Sequence, residues 1–359
     1  MTNNQTIPVT VLTGFLGSGK TTVLNHLLTG PDLSDTAVII NEFGEVGLDH
    51  LLVRRSTENL ILLNNGCLCC TVRGDLVETF LDLEARLSSG EISPFCRVVI
   101  ETTGLADPAP ILHTLMADPA ITPRWRLQGV ITTVDAVNGA RTLLAHKEAL
   151  KQAAVADHIL LTKSDIASVG ELADVRTELR VLNPGTPVID VIRGHVDPSD
   201  FFDVGFQATE ARISGVSRWL NEEQHKVSHD HHRNERHHPH RHDVNRHDDR
   251  IKAHCIIIDE PVSWNAFSYW LELLAALRGE EMLRVKGIVA VSDHPDRPLI
   301  IHGVQHVFHP PVQLDAWPSD DRRTRIVFIT RDMATDDLER TLRKFGKVNR
   351  IAAAPAIPV

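Results

Sequence analysis

The 359-residue sequence has no run of about 18 apolar residues, so it predicts no membrane-spanning helix. Its first residues are polar and lack the basic-then-apolar pattern of a signal peptide, which favours a cytoplasmic protein. Basic residues are outnumbered, with 37 Lys and Arg against 47 Asp and Glu, and the formal charge of −10 argues against a nucleic-acid binder. Cysteine is scarce, with five residues in the chain, three of them within four positions. This number and this clustering exclude a disulfide framework and favour a reduced chain with a thiolate site.

The chain has an ordinary globular composition, with 42% hydrophobic and 23% charged residues, and its length predicts about two domains. Residues 1–205 alternate short β-branched runs with amphipathic stretches. This alternation predicts an α/β fold in which a parallel sheet is covered by helices on both faces. The expected strands are Val9–Thr13, Ala37–Asn41, Leu60–Leu63, Arg97–Glu101, Gly129–Val134, His158–Thr162 and Pro187–Val191. Helices are expected over Lys20–Thr29 and from near Asp75.

The second half of the chain divides into a polar segment and a smaller domain. Residues 206–250 are read as a His-rich mobile linker or loop, because they offer little apolar surface to bury. Residues 251–350 predict a compact α+β domain, and residues 351–359 a tail. In this domain the expected strands are Ala253–Ile258, Leu283–Val291, Leu299–Val307 and Arg325–Thr330, and the expected helices are Trp264–Leu277 and Thr335–Phe345. Trp264, Trp270 and Trp317 are interpreted as core residues.

The strongest motif runs from Gly14 to Thr21 and matches G-x-x-x-x-G-K-[ST] between a strand and a helix. Its glycines let backbone N–H groups point at phosphate oxygens, and the helix N-terminus adds positive potential. Lys20 is expected to contact the β- and γ-phosphates, and the Thr21 hydroxyl a Mg²⁺ ion. The predicted nucleotide-binding residues of this P-loop are Gly14, Gly17, Ser18, Gly19, Lys20, Thr21 and Thr22.

Two further elements fit a P-loop nucleotidase. The apolar strand that ends in Glu101 predicts a second acidic Mg²⁺ ligand, and Gly104 follows at the spacing of a backbone contact to the γ-phosphate. The segment Thr162–Asp165 resembles the Asn-Lys-x-Asp element of GTPases, in which the carboxylate accepts from guanine. Thr162 replaces the usual Asn, Lys163 is expected along the base plane, and Asp165 is the predicted guanine reader. Lys20, Thr21 and Glu101 are the predicted catalytic residues.

The thiolate motif is formed by Cys67, Cys69 and Cys70. Thiolates suit Zn²⁺ or related transition ions, and two or three sulfurs leave a tetrahedral shell at least one ligand short. Glu42 or water could complete that shell, and an incomplete shell suits a carrier whose ion a partner must remove. Buried inert cysteines and a redox pair are the alternative interpretations.

These motifs together resemble the CobW-type metal-chaperone GTPases. The matching stretches are Gly14–Thr22, Asn41–Glu45, Gly66–Leu76, Glu101–Pro108, more loosely Thr162–Asp165, and in the C-terminal domain Leu283–Gly287 and His302–Gln305. The resemblance implies GTP hydrolysis linked to delivery of a metal ion to a client protein. It assigns the three cysteines to the delivered ion, and Lys20, Thr21 and Glu101 to Mg-GTP. Family members serve chiefly zinc or cobalt, and the motifs do not separate these branches.

Nine histidines lie between His225 and His247, and neutral imidazole binds Zn²⁺ and Co²⁺. We interpret the segment as a set of weak metal-binding sites, which slightly favours zinc as the physiological metal. The alternative interpretation is a solvated linker. The cysteines also lie between the Glu42 and Glu101 regions, the positions that respond to the γ-phosphate in P-loop GTPases, so metal affinity is expected to depend on the bound nucleotide.

Several functions stay open at this point. The leading one is a GTP-hydrolysing zinc chaperone that has a client protein as partner, without nucleic acid or membrane, and with a homodimer as an open alternative. The rivals are a non-catalytic metal buffer or sensor, a P-loop kinase, a cobalt carrier for cobalamin synthesis and an activator of a nitrile-hydrolysing enzyme. No residue is identified as the water-orienting group; Glu42, Glu45 and Asp107 are weak candidates.

Overall fold

A computed structural model describes residues 6–28, 35–41, 60–63, 72–202, 204 and 251–352. The described residues fall into two units, one built on the sheet before residue 205 and the other on the sheet after residue 250. None of the described helices is both long and apolar enough to cross a membrane.

The first unit is an α/β layer structure. Its strands are β1 Ile7–Gly14, β2 Thr36–Asn41, β3 Leu60–Leu63, β4 Arg97–Glu101, β5 Trp125–Asp135, β6 His158–Thr162 and β7 Val188–Val191. Its helices are α1 Lys20–Leu28, α2 Val72–Ser89, α3 Ala109–Ala117, α4 Gly139–Ala145, α5 Lys147–Ala154, α6 Val169–Leu182 and α7 Pro198–Phe202. The predicted α/β class and every predicted strand of this unit are therefore confirmed, with β1 and β5 longer than expected.

The seven described strands of this unit form one parallel sheet in the order β3-β2-β4-β1-β5-β6-β7. The apolar runs that predicted the strands are almost wholly buried: Val9, Val11 and Leu12 of β1 are each 0% exposed. Because all strands are parallel, their carboxyl ends meet at one edge, and ligands of open α/β sheets bind there. Gly14, Asn41, Glu101 and Thr162 all end strands at this edge.

The second unit is an antiparallel sheet with two helices. Its elements are β8 Ile251–Ile258, α8 Trp264–Arg278, a single 3-10 turn Gly279–Glu281, β9 Met282–Val289, β10 Leu299–Val304, β11 Val307–Phe308, β12 Val312–Gln313, β13 Thr324–Arg331, α9 Thr335–Phe345 and β14 Ile351–Ala352. The strand order is β11-β10-β9-β13-β8-β14, with β12 paired to β10. The predicted α+β class is confirmed.

Several details of the second unit differ from the sequence prediction. The strand expected over Leu283–Val291 runs over Met282–Val289. The strand expected over Leu299–Val307 stops at Val304, because Gln305 takes a left-handed φ of 52° that breaks the extended backbone. Only Trp270 of the three tryptophans is a core residue: it packs on Phe328 at 5.8 Å, whereas Trp264 and Trp317 are half-buried. The sheet also extends two residues into the expected tail, since Ile351–Ala352 pair with β8.

Candidate functional site

The P-loop connects β1 to α1 and is held against the neighbouring strand β5. Gly14 has a φ of 144°, and a Cβ built on it would lie 2.2 Å from Thr133 Oγ1 and 2.5 Å from the Thr133 carbonyl oxygen. Only glycine fits this backbone and this spacing. The Ser18 hydroxyl completes the contact, with its Oγ 2.6 Å from Thr133 Oγ1. Thr133 is thus a site residue that the motif analysis missed. The only feature of the sequence that could have indicated it is the polar end of β5.

Lys20 begins α1 and folds its side chain back into the loop. Its Nζ donates to the Gly14 carbonyl at 2.9 Å and lies 3.4 Å from the Phe15 carbonyl oxygen, and the residue is 9% exposed. Because the ammonium is held inside the curve of the loop, its charge is concentrated where the motif predicts the β- and γ-phosphates.

Thr21 and Glu101 meet at the same edge. Strands β1 and β4 pair so that Leu12 lies beside Glu101, which brings the end of β4 next to the P-loop. The Thr21 hydroxyl donates to Glu101 Oε1 at 2.9 Å, and Glu101 is only 4% exposed. A hydroxyl and a carboxylate are hard oxygen donors of the kind that Mg²⁺ prefers, so the two residues fit the predicted ion.

The segment after β4 closes over the P-loop. A Cβ on Gly104 would lie 2.7 Å from the Leu16 amide nitrogen and 2.9 Å from Leu16 Cα, so only glycine allows this approach. The Thr102 hydroxyl donates to Thr13 Oγ1 at 2.8 Å and ties the start of the segment to β1. The Gly104 backbone therefore lies against the P-loop, and its contact with the γ-phosphate stays a prediction.

Helix α5 holds the same segment from its other side. Gln152 is 0% exposed, and its Nε2 donates to the Gly104 carbonyl at 3.2 Å and to the Ala106 carbonyl at 3.0 Å. The adjacent Lys151 forms an ion pair with Asp107 at 2.5 Å. Sequence reasoning missed Gln152, because a glutamine in an amphipathic helix is usually on the solvated face.

The loop after β6 carries the predicted base-reading residues. Thr162 is 4% exposed; its hydroxyl lies 2.7 Å from the Ser18 carbonyl oxygen and 3.2 Å from the Val134 carbonyl oxygen. It therefore binds the P-loop backbone directly. Lys163 has a left-handed φ of 59° and pairs with Asp135 at 2.7 Å, whereas the sequence predicts that it lies along a base. Asp165 is exposed, with its Oδ2 4.0 Å from Arg193 Nε.

Asp135 supplies the negative charge that Lys163 meets. Burial raises the pKa of Asp135, but hydrogen bonds from Lys163, from Asn138 and from the Val137 amide outweigh it and hold the pKa below its ordinary value. The carboxylate is therefore ionised at neutral pH, and the pair joins the ends of β5 and β6.

A cavity of about 550 Å³ lies beside the P-loop. Its walls are the P-loop residues from Phe15 to Ser18, the end of β5, and helices α4 and α5. The Phe15 ring stacks on His146, with ring centroids 4.5 Å apart, and Gln152 also lines the space. His146, the residue before α5, thus contacts the tip of the P-loop, and Gln152 within α5 contacts the segment after β4.

The predicted transition-metal ligands, Cys67, Cys69, Cys70 and Glu42, lie outside the described residues, as do Glu45 and the histidines from His225 to His247. Within the part of the chain that the structure describes, no group of three or more His, Cys, Asp or Glu residues could hold a metal ion. The two described cysteines, Cys96 and Cys255, form no disulfide bond.

Family comparisons cover both units. Residues 8–190 match the model described as CobW/HypB/UreG, nucleotide-binding domain, and residues 251–346 match the cobalamin synthesis protein cobW C-terminal domain. The zinc chaperone YjiA of Escherichia coli is 33% identical over 335 residues, which cover 92% of this chain and 96% of YjiA. The zinc chaperone CobW of Pseudomonas aeruginosa is 30% identical, covering 94% of this chain and 91% of that protein.

Solved structures show the same architecture. The crystal structure of the Zn(II)-bound YjiA GTPase from E. coli superposes with a TM-score of 0.68 at 30% identity, covering 95% of this chain and 99% of that one. A Zn(II)-bound variant of YjiA in which one glutamate and two cysteines are replaced by alanine superposes with a TM-score of 0.67 at 28% identity, over the same shares of the two chains.

Proposed function

The chain belongs to the CobW family of P-loop proteins, and we propose that it is a GTPase that binds zinc at Cys67, Cys69 and Cys70 and delivers the ion to a client protein. Zinc is proposed over cobalt because the relatives that match over most of their length are named zinc chaperones. The observation that carries the proposal is the common edge of the sheet, where the P-loop, Glu101 and the carboxyl ends of β2 and β3 lie; Glu42 and the cysteine motif follow those two strands in the sequence.

The nucleotide half of the proposal rests on three side chains. Lys20 sits inside the P-loop, and Thr21 and Glu101 form an adjacent pair of oxygen donors. These two residues would hold Mg²⁺, which neutralises phosphate charge when it is bound. Phosphoryl transfer then needs mainly positioning and charge stabilisation, which Lys20 and the backbone N–H groups of the P-loop supply.

Selectivity for guanine is assigned to Asp165. Its carboxylate follows β6 at the same edge as the P-loop and can accept from two neighbouring N–H donors of guanine, a donor pair that adenine does not offer there. Thr162 supports this indirectly, because its hydroxyl fixes the Ser18 backbone relative to the loop that carries Asp165.

The metal half of the proposal rests on strand register. Asn41 and Leu63 are direct partners on the neighbouring strands β2 and β3, so their Cα atoms lie about 4.8 Å apart. Glu42 follows Asn41 directly, and Cys67 follows Leu63 by four residues, a span of at most about 14 Å. Helix α2 begins at Val72, two residues after Cys70. These short chain lengths allow Glu42 and the cysteines to bind one ion.

The same register brings the end of β2, which precedes Glu42 in the sequence, close to the nucleotide site. Ile40 of β2 pairs with Glu101 of β4, and β4 in turn pairs with β1, which leads into the P-loop. The strand that leads into the P-loop, β1, is thus separated by one strand, β4, from β2, which ends at the residue before Glu42. We propose that zinc affinity differs between the GTP and GDP states.

The test is a titration of Zn²⁺, and in parallel of Co²⁺ with its thiolate absorption, into protein that carries a Mg-GTP analogue or Mg-GDP. The triple variant Cys67→Ser, Cys69→Ser and Cys70→Ser is expected to lose the tight site and keep GTP binding. Cys96→Ser, at an exposed thiol elsewhere, is the matched control and should bind as the parent does.

A typical coupling of 1–3 kcal/mol would change the zinc affinity about 5- to 150-fold between the two nucleotide states. Equal affinities in both states would refute the coupling, and undiminished tight binding by the triple variant would refute the thiolate site. Absence of GTP turnover with every metal would favour a metal buffer over the chaperone.

A further inference from the structure

Two histidines outside the P-loop site face each other in the first unit. His26 lies in the last turn of α1, and His195 lies between β7 and α7. His195 Nδ1 is 2.7 Å from His26 Nε2, and the rings meet edge to face with centroids 4.6 Å apart. At this distance one nitrogen carries a proton and the other offers a bare lone pair, so both nitrogens are directed at one shared point.

The backbone on each side of the pair is fixed. Helix α1 buries Val23, Leu24 and Leu27 in the core, which sets the direction of His26. On the other side, Gly194 has a φ of 83° and packs so closely on α1 that a Cβ would lie 2.7 Å from the Thr22 carbonyl oxygen. The next residue, His195, donates its amide to the Ile192 carbonyl at 2.9 Å. The two rings therefore meet because the scaffold brings them together.

The spacing is close to that of two ligands on one metal ion. Zn–N bonds of about 2.0–2.1 Å at a tetrahedral angle put two ligand nitrogens about 3.3–3.4 Å apart. The observed 2.7 Å needs to open by only about 0.6–0.7 Å, which small rotations of two side chains supply, since His195 is exposed and His26 half-buried.

We propose that His26 and His195 form a second site for a divalent transition cation, in which the ion replaces the proton shared by the two imidazoles. Imidazole nitrogens favour Zn²⁺, Ni²⁺ and Cu²⁺ over Mg²⁺, so the site does not compete for the ion of the nucleotide. Two protein ligands leave the other positions to water. Such a site holds its ion less tightly than a set of thiolates and exchanges it readily, which suits loading from solution.

The position of the pair separates it from the nucleotide. His26 follows Lys20 by six residues, so it lies about 9 Å further along the helix axis from the P-loop. The described hydrogen bond of the pair joins the two rings to each other, and the bonds of Lys20 and Thr21 are made within the P-loop and to Glu101. Substituting the two histidines is therefore expected to leave GTP turnover unchanged.

The test is a zinc soak of crystals of the full chain, with anomalous scattering recorded at the zinc absorption edge. A peak between the two imidazole nitrogens is expected in the parent protein. It should be missing in His26→Asn and in His195→Asn, each of which removes one ligand and keeps a polar side chain. The His294→Asn variant, at an exposed histidine of the second unit, is the matched control and should keep the peak.

Equilibrium dialysis against zinc measures the same site in solution. Each single variant is expected to bind one ion fewer per chain than the parent, and the His294→Asn control the same number as the parent. No anomalous peak between the rings, together with equal zinc counts in all four proteins, would overturn the proposal. Because the three cysteines are intact in these variants, failure here leaves the thiolate site untouched.

Discussion

Removing the amide of Gln152 should loosen the segment after β4 without disturbing the rest of the sheet. Gln152 Nε2 donates to two carbonyls of that segment, those of Gly104 and Ala106. Its Oε1 is buried and accepts no hydrogen bond among the described residues. The Gln152→Leu substitution therefore removes two donated hydrogen bonds. It also removes one buried oxygen that lowers the stability of the parent protein.

The magnitude follows from these contacts. A typical intramolecular hydrogen bond contributes about 0.5–1.5 kcal/mol, so the loss of two predicts about 1–3 kcal/mol of destabilisation, partly offset by the removal of the buried oxygen. Gln152→Glu keeps the shape but turns an oxygen towards both carbonyls. Gln152→Glu loses the same two hydrogen bonds, and it also adds repulsion between the new oxygen and the two carbonyls and buries an acid. It should therefore destabilise the protein more than Gln152→Leu.

The assay combines urea unfolding with steady-state GTP turnover. Gln152→Leu should lower kcat with little change in KM, since the affected segment lies against the P-loop and is predicted to contact only the γ-phosphate. Gln128→Leu is the matched control, because Gln128 Nε2 donates to the Val204 carbonyl at 2.9 Å, away from this segment. The control should lose similar stability and keep its kcat.

Two results would refute the reasoning about Gln152. If Gln152→Leu and Gln152→Glu unfold at the same urea concentration as the parent, the two bonds contribute no net stability. If Gln128→Leu lowers kcat as much as Gln152→Leu does, the effect on turnover reflects general destabilisation and not the position of Gly104.

Four further predictions concern other parts of the chain. Lys20→Ala should abolish GTP binding or hydrolysis, measured by nucleotide titration and phosphate release; turnover at the parent rate would contradict the role of Lys20. Gly14→Ala should also lose nucleotide binding, because the added Cβ would lie 2.2 Å from Thr133 Oγ1; an unchanged affinity for GTP would count against the packing. Burial and the Lys252 charge hold the pKa of His254 below its usual value. As the pH falls through about 6.5, the unfolded chain therefore protonates His254 before the folded chain does. Urea unfolding should show that the free energy of unfolding decreases from pH 7 to 5.5, and that it decreases less steeply in His254→Gln. Deletion of residues 225–247 should lower the total zinc bound, by dialysis, and spare a tight one-to-one site; an unchanged count would dismiss the buffering role of the segment.

The strands were predictable where a short apolar run ends at a polar or turn-forming residue. Arg97–Glu101 and His158–Thr162 have the predicted bounds, because the apolar periodicity stops where the backbone leaves the sheet. The length of strand β5 was underestimated. Gly129–Val134 is its continuously buried part, while Trp125–Gln128 alternates buried and half-buried residues and is recognisable as a strand only from its pairing with β1. A pattern in one strand does not reveal a partner over a hundred residues away.

The candidate site was predictable where a motif fixes local backbone geometry and unpredictable where it depends on long-range contacts. The meeting of Thr21 and Glu101 follows from two motifs that end neighbouring parallel strands. Thr162 was interpreted from its motif as part of a base reader, which stays a prediction; the motif did not reveal that its hydroxyl donates to the Ser18 carbonyl, 144 residues away in sequence. No local pattern distinguishes these two uses of a threonine, because both need a small hydroxyl at the end of a buried strand.

Coupling between zinc and the nucleotide must act equally in both directions. If the GTP state binds zinc more tightly than the GDP state by some factor, the zinc-loaded protein must prefer GTP over GDP by that same factor relative to the zinc-free protein. In the structure, the neighbouring strands β1, β4 and β2 connect Lys20 and Thr21 to the residue before Glu42. GTP and GDP affinities measured with and without zinc should therefore give the same ratio as zinc affinities measured in the two nucleotide states. If the two ratios differ, the nucleotide effect arises from a change in assembly state or from a second class of zinc site. It would then not arise from the strands that lie between the nucleotide site and the proposed zinc site.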